Sequence, residues 1–313
     1  MKQANVILTR CNDYAKIDEK ILRLFELLGG IDKLISRGDK VLVKPNFIAP
    51  KPRCCATQTD PAVILAVVKI LKDFGAKPFV GDSPAWSDVF GCVKVLGIAD
   101  ELKRLEVPVR QLDKPVKSKI GNTKKVWVSS VALEADKIIN LPKFKSHQQL
   151  VASFAIKNMF GCVCGKQKPY WHFAKGGDSF EFCKFLIDIY KFMNPVLTII
   201  DGVVAMDGSG PINGRARDLG WLITSSDPIA CERVCCEIVN IKPEQLPILH
   251  AAERMGFGTS SLENISILGD DYKEKICTDF ELAKPIPIRF SLLRVCKSII
   301  KQVIGLIKKK CKG

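Results

Sequence analysis

No stretch of the sequence reaches the roughly 18 consecutive apolar residues of a membrane-spanning helix, and the first twenty residues carry no apolar run of signal-peptide length. Neither secretion nor membrane spanning is therefore expected. Acidic residues are missing altogether from 284 to 313, where nine Lys or Arg stand, which leaves only +6 of the formal charge of +15 for the rest of the chain. The basicity belongs mostly to the tail, and aromatic residues are not interleaved with it, so specific nucleic-acid binding is disfavoured. Histidine is scarce, with three in 313 residues. No ferredoxin-type C-x2-C-x2-C run, zinc-type C-x2-C pair or Walker Gly-Lys-Ser/Thr ending is present.

Cysteine, by contrast, is plentiful. Thirteen thiols without an export signal point to a reducing, cytoplasmic setting and to free thiols rather than disulfides. Cys54-Cys55, Cys162-x-Cys164 and Cys231-x3-Cys235-Cys236 leave open an iron–sulfur or metal-dependent redox protein; burial as small apolar residues is the plainer reading. The metal and cofactor are otherwise unspecified.

The remaining pattern is that of an α/β fold with a mainly parallel sheet built from βαβ units. Lys40–Lys44 reads as a buried strand ending at Pro45-Asn46. Thr59-Asp60-Pro61 then writes a helix start, with Asp60 suited to cap and Pro61 holding the first helical φ. Val63, Ile64, Val67, Leu71 and Phe74 give that helix one apolar face, and Gly75 terminates it. A second strand, Lys77–Val80, runs into Gly81-Asp82-Ser83. Strand-like Lys137–Asn140, Val196–Ile200 and Trp221–Thr224 repeat the grammar, the last followed by Ser226-Asp227-Pro228 and another helix. The pattern divides into two lobes, 1–145 and 146–283, plus a basic C-terminal helix over 284–313. At about 100° per residue, Arg294, Lys297, Lys301 and Lys308 form one stripe of that helix, opposite a wide aliphatic arc. Such a helix suits an anionic membrane surface, giving peripheral attachment to an inner membrane face; docking on this protein or on its twin in a homo-oligomer is the equal alternative.

In parallel sheets the ligand crevice lies beyond the carboxyl ends of the strands. Those ends supply Lys44 and Asn46, Asp82 and Ser83, Asn140, Lys143, Lys145 and His147, and Asp201. Lys143, Lys145 and His147 alternate and would share one face if extended. Lys157 and Asn158 follow at the end of a helical stretch closed by Gly161, and a desolvated lysine there would suit base or Schiff-base work. Asp207-Gly208-Ser209-Gly210, with Arg215 nearby, makes a loop able to offer backbone N–H groups to a phosphate or carboxylate. A small anionic ligand is the expected partner. Lys143, Lys145 and Arg215 would neutralise it, Lys157, His147 or His172 would move protons, and Asp82, Asp201 and Asn158 would orient them.

Taken together, VLVKPNF, TDPAVILAVVKILKDFGAK, VGDSP, DKIINLPKFKSH, FAIKNMFGCV and IDGVVAMDGSGPINGRARDLGWLITSSDP resemble the domain of unknown function 362 family from about Val41 to Gly269. The resemblance implies an α/β fold and places Lys44, Asn46, Asp82, Lys143, Lys145, His147, Lys157, Asn158, His172, Asp201 and Gly208 to Gly210 at motif positions. It implies no established reaction. Cys164 stands where such proteins often have proline, and Glu232 where aspartate is common. Many members carry an added ferredoxin-like domain, which this chain lacks. The fold logic is also distantly similar to lactate racemase, which implies proton transfer on a small carboxylate, isomerase-like or other acid–base chemistry.

Overall fold

A computed structural model describes residues 3–164 and 167–290. The expected amphipathic helix over 292–308 lies outside the described residues. The strands are β1 (Ala4–Arg10), β2 (Lys40–Pro45), β3 (Lys77–Asp82), β4 (Val109–Gln111), β5 (Pro115–Ile120), β6 (Thr123–Ser129), β7 (Lys137–Leu141), β8 (Lys143–His147), β9 (Val151–Ser153), β10 (Leu197–Asp207), β11 (Arg215–Ser225) and β12 (Ile265–Gly269). The α-helices are α1 (Ile17–Leu27), α2 (Pro61–Phe74), α3 (Val89–Val95), α4 (Ala99–Arg104), α5 (Ser130–Leu133), α6 (Gln167–Lys175), α7 (Ser179–Met193), α8 (Pro228–Ile238) and α9 (Pro247–Arg254).

Local chemistry accounts for the helix boundaries. Asp60 accepts from the Ala62 N–H at 2.9 Å and Pro61 opens α2, while Gly75 closes it at φ 91°, a conformation a side chain would resist. Asp227 caps α8 in the same way, accepting from Ile229 and Ala230.

Along the sheet the order is β12-β1-β11-β10-β7-β2-β3-β4, with β8 joined to β10 and β9 to β8. The fold is thus mixed α/β with a mostly parallel sheet, β11 running against both β1 and β10. The expected boundary between 145 and 146 falls inside β8, and β1, at the beginning of the chain, lies between β11 and β12. Val41 and Val43 pack with α1 and α2 into one buried cluster, whereas Leu42 between them enters the cluster that holds α7, α8 and α9. The period of two thus buries both faces, which is why β2 is apolar without a break.

Two features bring polar groups into this interior. Pro142 has no N–H and interrupts the ladder between β7 and β8, while its carbonyl accepts from the Asp201 N–H at 2.9 Å. The strand resumes with Lys143 in register with Asp201. Secondly, Ile156–Cys162 forms a tight 3-10 segment, running through Gly161 instead of a helix closed by it. A Cβ at Gly161 would stand 2.5 Å from Asp82 Oδ1 and 2.6 Å from Lys44 Nζ, so only glycine lets this backbone lie against those side chains.

Candidate functional site

Lys44, at the end of β2, is fully buried. Its ammonium donates to Asp82 Oδ1 at 2.8 Å, to the Pro45 carbonyl at 2.9 Å and to Asn158 Oδ1 at 3.3 Å. Asp82, ending β3, also accepts from the N–H groups of Phe47 and Ser83, each at 2.7 Å. The charge of each partner is therefore matched, and its remaining hydrogen-bonding capacity is used.

An amide chain continues from this pair. Asn158 Nδ2 donates to Asn140 Oδ1 at 2.8 Å, and Asn140 Nδ2 donates to the Ala155 carbonyl and to Thr198 Oγ1. Asn46 donates to Asn158 Oδ1 at 3.0 Å and accepts from Lys145. Lys145 makes its other contact, 2.9 Å, with the Thr57 carbonyl. Both of its acceptors are neutral, so this buried ammonium has no carboxylate partner among the described residues. Burial, then the neighbouring charges of Lys157 and Lys143, hold its pKa well below the ordinary lysine value.

Further cations gather beside it. Lys157, half-buried on the 3-10 segment, has no hydrogen-bond or ion-pair partner among the described residues; burial and the charge of Lys168 lower it to about 8. Lys168, from α6, donates to the Ser83 carbonyl, and burial lowers it also to about 8. The His147 imidazole is held well below its usual range, mainly by burial and then by Lys157 and Lys145, and its Nδ1 accepts from the Gln149 N–H at 3.0 Å, which marks that nitrogen as unprotonated. His172, on α6, is lowered to about 3 by burial and by Lys157.

Not every expected ligand-binding residue belongs to this group. Lys143 is paired with Asp201 at 2.8 Å and donates to the Tyr14 hydroxyl at 3.0 Å; that hydroxyl donates to Asp201 Oδ1 at 2.8 Å. The Asp60 N–H also donates to Asp201. Arg215 reaches Asp207 and Glu281, so its charge is matched as well. The Gly208 N–H donates to the Glu281 carbonyl and the Gly210 N–H to the Gly208 carbonyl, so the glycine loop uses those amides internally instead of presenting them to an anion. Gly210 instead packs against β8, where a Cβ would meet the Ser146 carbonyl at 2.0 Å.

Residues 279–290 form a strap over this region. The Ala283 N–H donates to Ser146 Oγ at 2.7 Å, the Ile286 N–H to the Gln148 carbonyl at 2.9 Å, and Gln149 Nε2 to the Ile288 carbonyl at 2.9 Å. His172 contacts the Ile288 carbonyl at 3.3 Å and stacks on Phe290 at 4.4 Å between ring centres.

Sequence reading missed Tyr14, Thr57 and Lys168, whose partners Asp201, Lys145 and Ser83 lie 85 to 187 residues away in the chain, and gave Glu232 no role. Glu232 is buried on α8 and accepts from the Ile156 N–H at 3.0 Å, fixing the start of the 3-10 segment. Its other oxygen has no partner among the described residues, and burial raises its pKa to about 8, so the neutral acid predominates at pH 7.

The cysteines are dispersed. Cys231, Cys235 and Cys236 are buried on α8, and burial pushes Cys162 up to about 12 and Cys164 to about 11. Among the described residues no group of three or more His, Cys, Asp or Glu is placed to hold a metal ion. No described helix is long and apolar enough to cross a membrane. A cavity of about 710 Å³ opens away from the lysine cluster, beside Arg10, Cys11, Lys16, Lys20 and Asp270 at the ends of β1 and β12. Its lining balances four basic with four acidic residues, whereas Lys145, Lys157 and Lys168 make no ion pair among the described residues.

Comparison with known proteins adds three findings. The profile of the family described as "Domain of unknown function (DUF362)" matches residues 41–237. The thylakoid-associated protein sll1697 of Synechocystis sp. is 33% identical over 306 residues, 96% of this chain and 94% of that protein. The lactate racemase apoprotein from Thermoanaerobacterium thermosaccharolyticum is similar at a TM-score of 0.49 and 13% identity; the match covers 77% of this chain and 58% of that one.

Proposed function

Since the chain belongs to the domain of unknown function 362 family, whose description names no reaction, we propose from the site itself that it is an enzyme performing acid–base chemistry on a small anionic molecule. The observation that carries this reading is the gathering of Lys145, Lys157 and Lys168 without a carboxylate of their own among the described residues. Repelling, partly desolvated ammonium groups are costly to assemble, and a carboxylate or phosphate would relieve that cost. In this reading Lys145, Lys157 and Lys168 hold the anion. His147 and His172 are kept neutral by burial and by Lys157, and they accept and return protons once a bound anion offsets that lysine charge. The Lys44–Asp82 pair and the Asn46, Asn140 and Asn158 chain fix the geometry.

Anion binding should weaken as the pH rises through about 8. Lys157 and Lys168 fall from the ordinary lysine value of 10.5 to about 8 in the fold, so between those values the unfolded chain binds more protons. Their contribution to the stability of the free protein therefore rises with pH over that window, while an anion's added stabilisation falls because its partners discharge. Thermal melts with inorganic phosphate and with pyruvate, at about pH 6.5 to 9.5, test this. Stabilisation largest at the acid end is expected; no stabilisation by any small carboxylate or phosphate removes the reading.

A peripheral membrane association is a second reading, supported by the acid-free basic run over 284–313 and by the thylakoid association in the name of the relative. Flotation with vesicles rich in anionic lipid should carry the full chain upward and leave behind a chain lacking 291–313, which keeps the strap. Equal distribution of the two would refute it.

A further inference from the structure

We infer that Lys157 is a nucleophile that condenses with a carbonyl group carried by the anionic molecule, so that the substrate class is a small carbonyl compound bearing a carboxylate or phosphate. This rests on the anion-binding reading above and deepens it.

The amines around the site differ in what occupies them. Lys44 makes three contacts, Lys143 and Lys145 two each, and Lys168 one, to the Ser83 carbonyl. Lys157 makes none with any described residue, and the residue is half-buried. Its backbone is nonetheless fixed on both sides. The Ile156 N–H is held by Glu232 at 3.0 Å, and the Asn158 side chain is held by Asn140 at 2.8 Å and by the Lys44 carbonyl at 3.2 Å. An amine with no partner among the described residues, on an immobilised segment and under the charge of Lys168, is the arrangement that activates lysine for attack on a carbonyl. Burial brings its pKa to about 8, so on the order of a tenth of it is the neutral amine at pH 7.

In the step, the Lys157 nitrogen lone pair forms a C–N bond to the carbonyl carbon and the C=O π pair moves to oxygen, which takes up a proton. The nitrogen then loses a proton, and the hydroxyl, protonated in turn, leaves as water. The product is an iminium. Amine, carbonyl and one proton thus give iminium and water, and no oxidant or reductant is consumed. Its cationic nitrogen acidifies the neighbouring C–H bond, which places a use beside the neutral imidazoles of His147 and His172. Lys145 and Lys168 would meanwhile hold the anionic group.

Borohydride trapping tests the inference: hydride adds to the iminium carbon and leaves a stable secondary amine. Full-length protein is incubated with pyruvate, with dihydroxyacetone phosphate, or with uncharged butanone at equal concentration, reduced, and mapped by peptide mass spectrometry. One adduct, on Lys157, with an anionic carbonyl compound and not with butanone, is expected. Lys157→Arg, which keeps the charge and cannot form an iminium, should melt normally and remain unlabelled; Lys157→Gln serves if the arginine does not fit. Anions that stabilise the protein while neither carbonyl compound labels Lys157 would overturn the inference and leave the anion site standing. Adducts scattered over other lysines would overturn it too. Absence of both stabilisation and labelling would remove the anion reading together with it.

Discussion

Replacing Asp82 by alanine should cost the fold about 3–5 kcal/mol, a large part of the roughly 5–15 kcal/mol that holds such a protein together. The substitution leaves the fully buried Lys44 ammonium with only the Pro45 carbonyl and Asn158 Oδ1, and it strands the N–H groups of Phe47 and Ser83. Relaxation is limited because the Gly161 backbone lies against both side chains. Lys44→Met should be milder, since Asp82 would keep its two backbone donors and could neutralise by taking up a proton. Urea unfolding of both variants measures the difference. A loss below about 1 kcal/mol for Asp82→Ala would mean that water enters and solvates the lysine, contrary to the closed packing described.

At Lys145 the expected result has the opposite balance: binding collapses while stability hardly moves. Lys145→Gln removes a buried charge that no described carboxylate neutralises, and the glutamine amide can still donate to Asn46 Oδ1 or the Thr57 carbonyl. The free protein should then be as stable as the parent or slightly more so, a trade familiar at sites strained for function. Affinity for phosphate or pyruvate should fall by about 2–5 kcal/mol, or roughly thirty-fold to several thousand-fold. Titration of both proteins at pH 7 measures this. A loss under about threefold would place Lys145 outside the reach of the anion.

Much of this site is written locally, and the unwritten part is the part that depends on register. Asp60-Pro61 and Gly75 predict the ends of α2 because capping involves only neighbouring residues. Lys44, Asp82 and Asn140 are legible as candidates because each ends a recognisable strand. What cannot be read is that Lys44 pairs with Asp82 while Lys143 pairs with Asp201, since both pairings follow from strand order. That order separates the matched lysines from Lys145, which makes no ion pair among the described residues. Lys168 comes to the site, and Tyr14 to the Lys143–Asp201 pair, across separations that no local sequence pattern records. β11 begins at Arg215, well before the apolar Trp221–Thr224, because its polar half continues the antiparallel ladder with β10. The periodicity marks the buried portion of that strand and is silent on the rest.

The position of β1 has a consequence for how the chain is made. Ile7 pairs with Thr224 and Ala4 with Ile265, so during synthesis β1 waits for neighbours more than two hundred residues behind it. Until they emerge, a β-branched apolar segment with both edges open is exposed to chaperones and to other nascent chains. The β2-α2-β3 unit, whose contacts are sequentially near, can form meanwhile. Closure of the sheet is thereby a late, long-range event, and synthesis that slows after β3 would lengthen the interval in which β1 is unprotected.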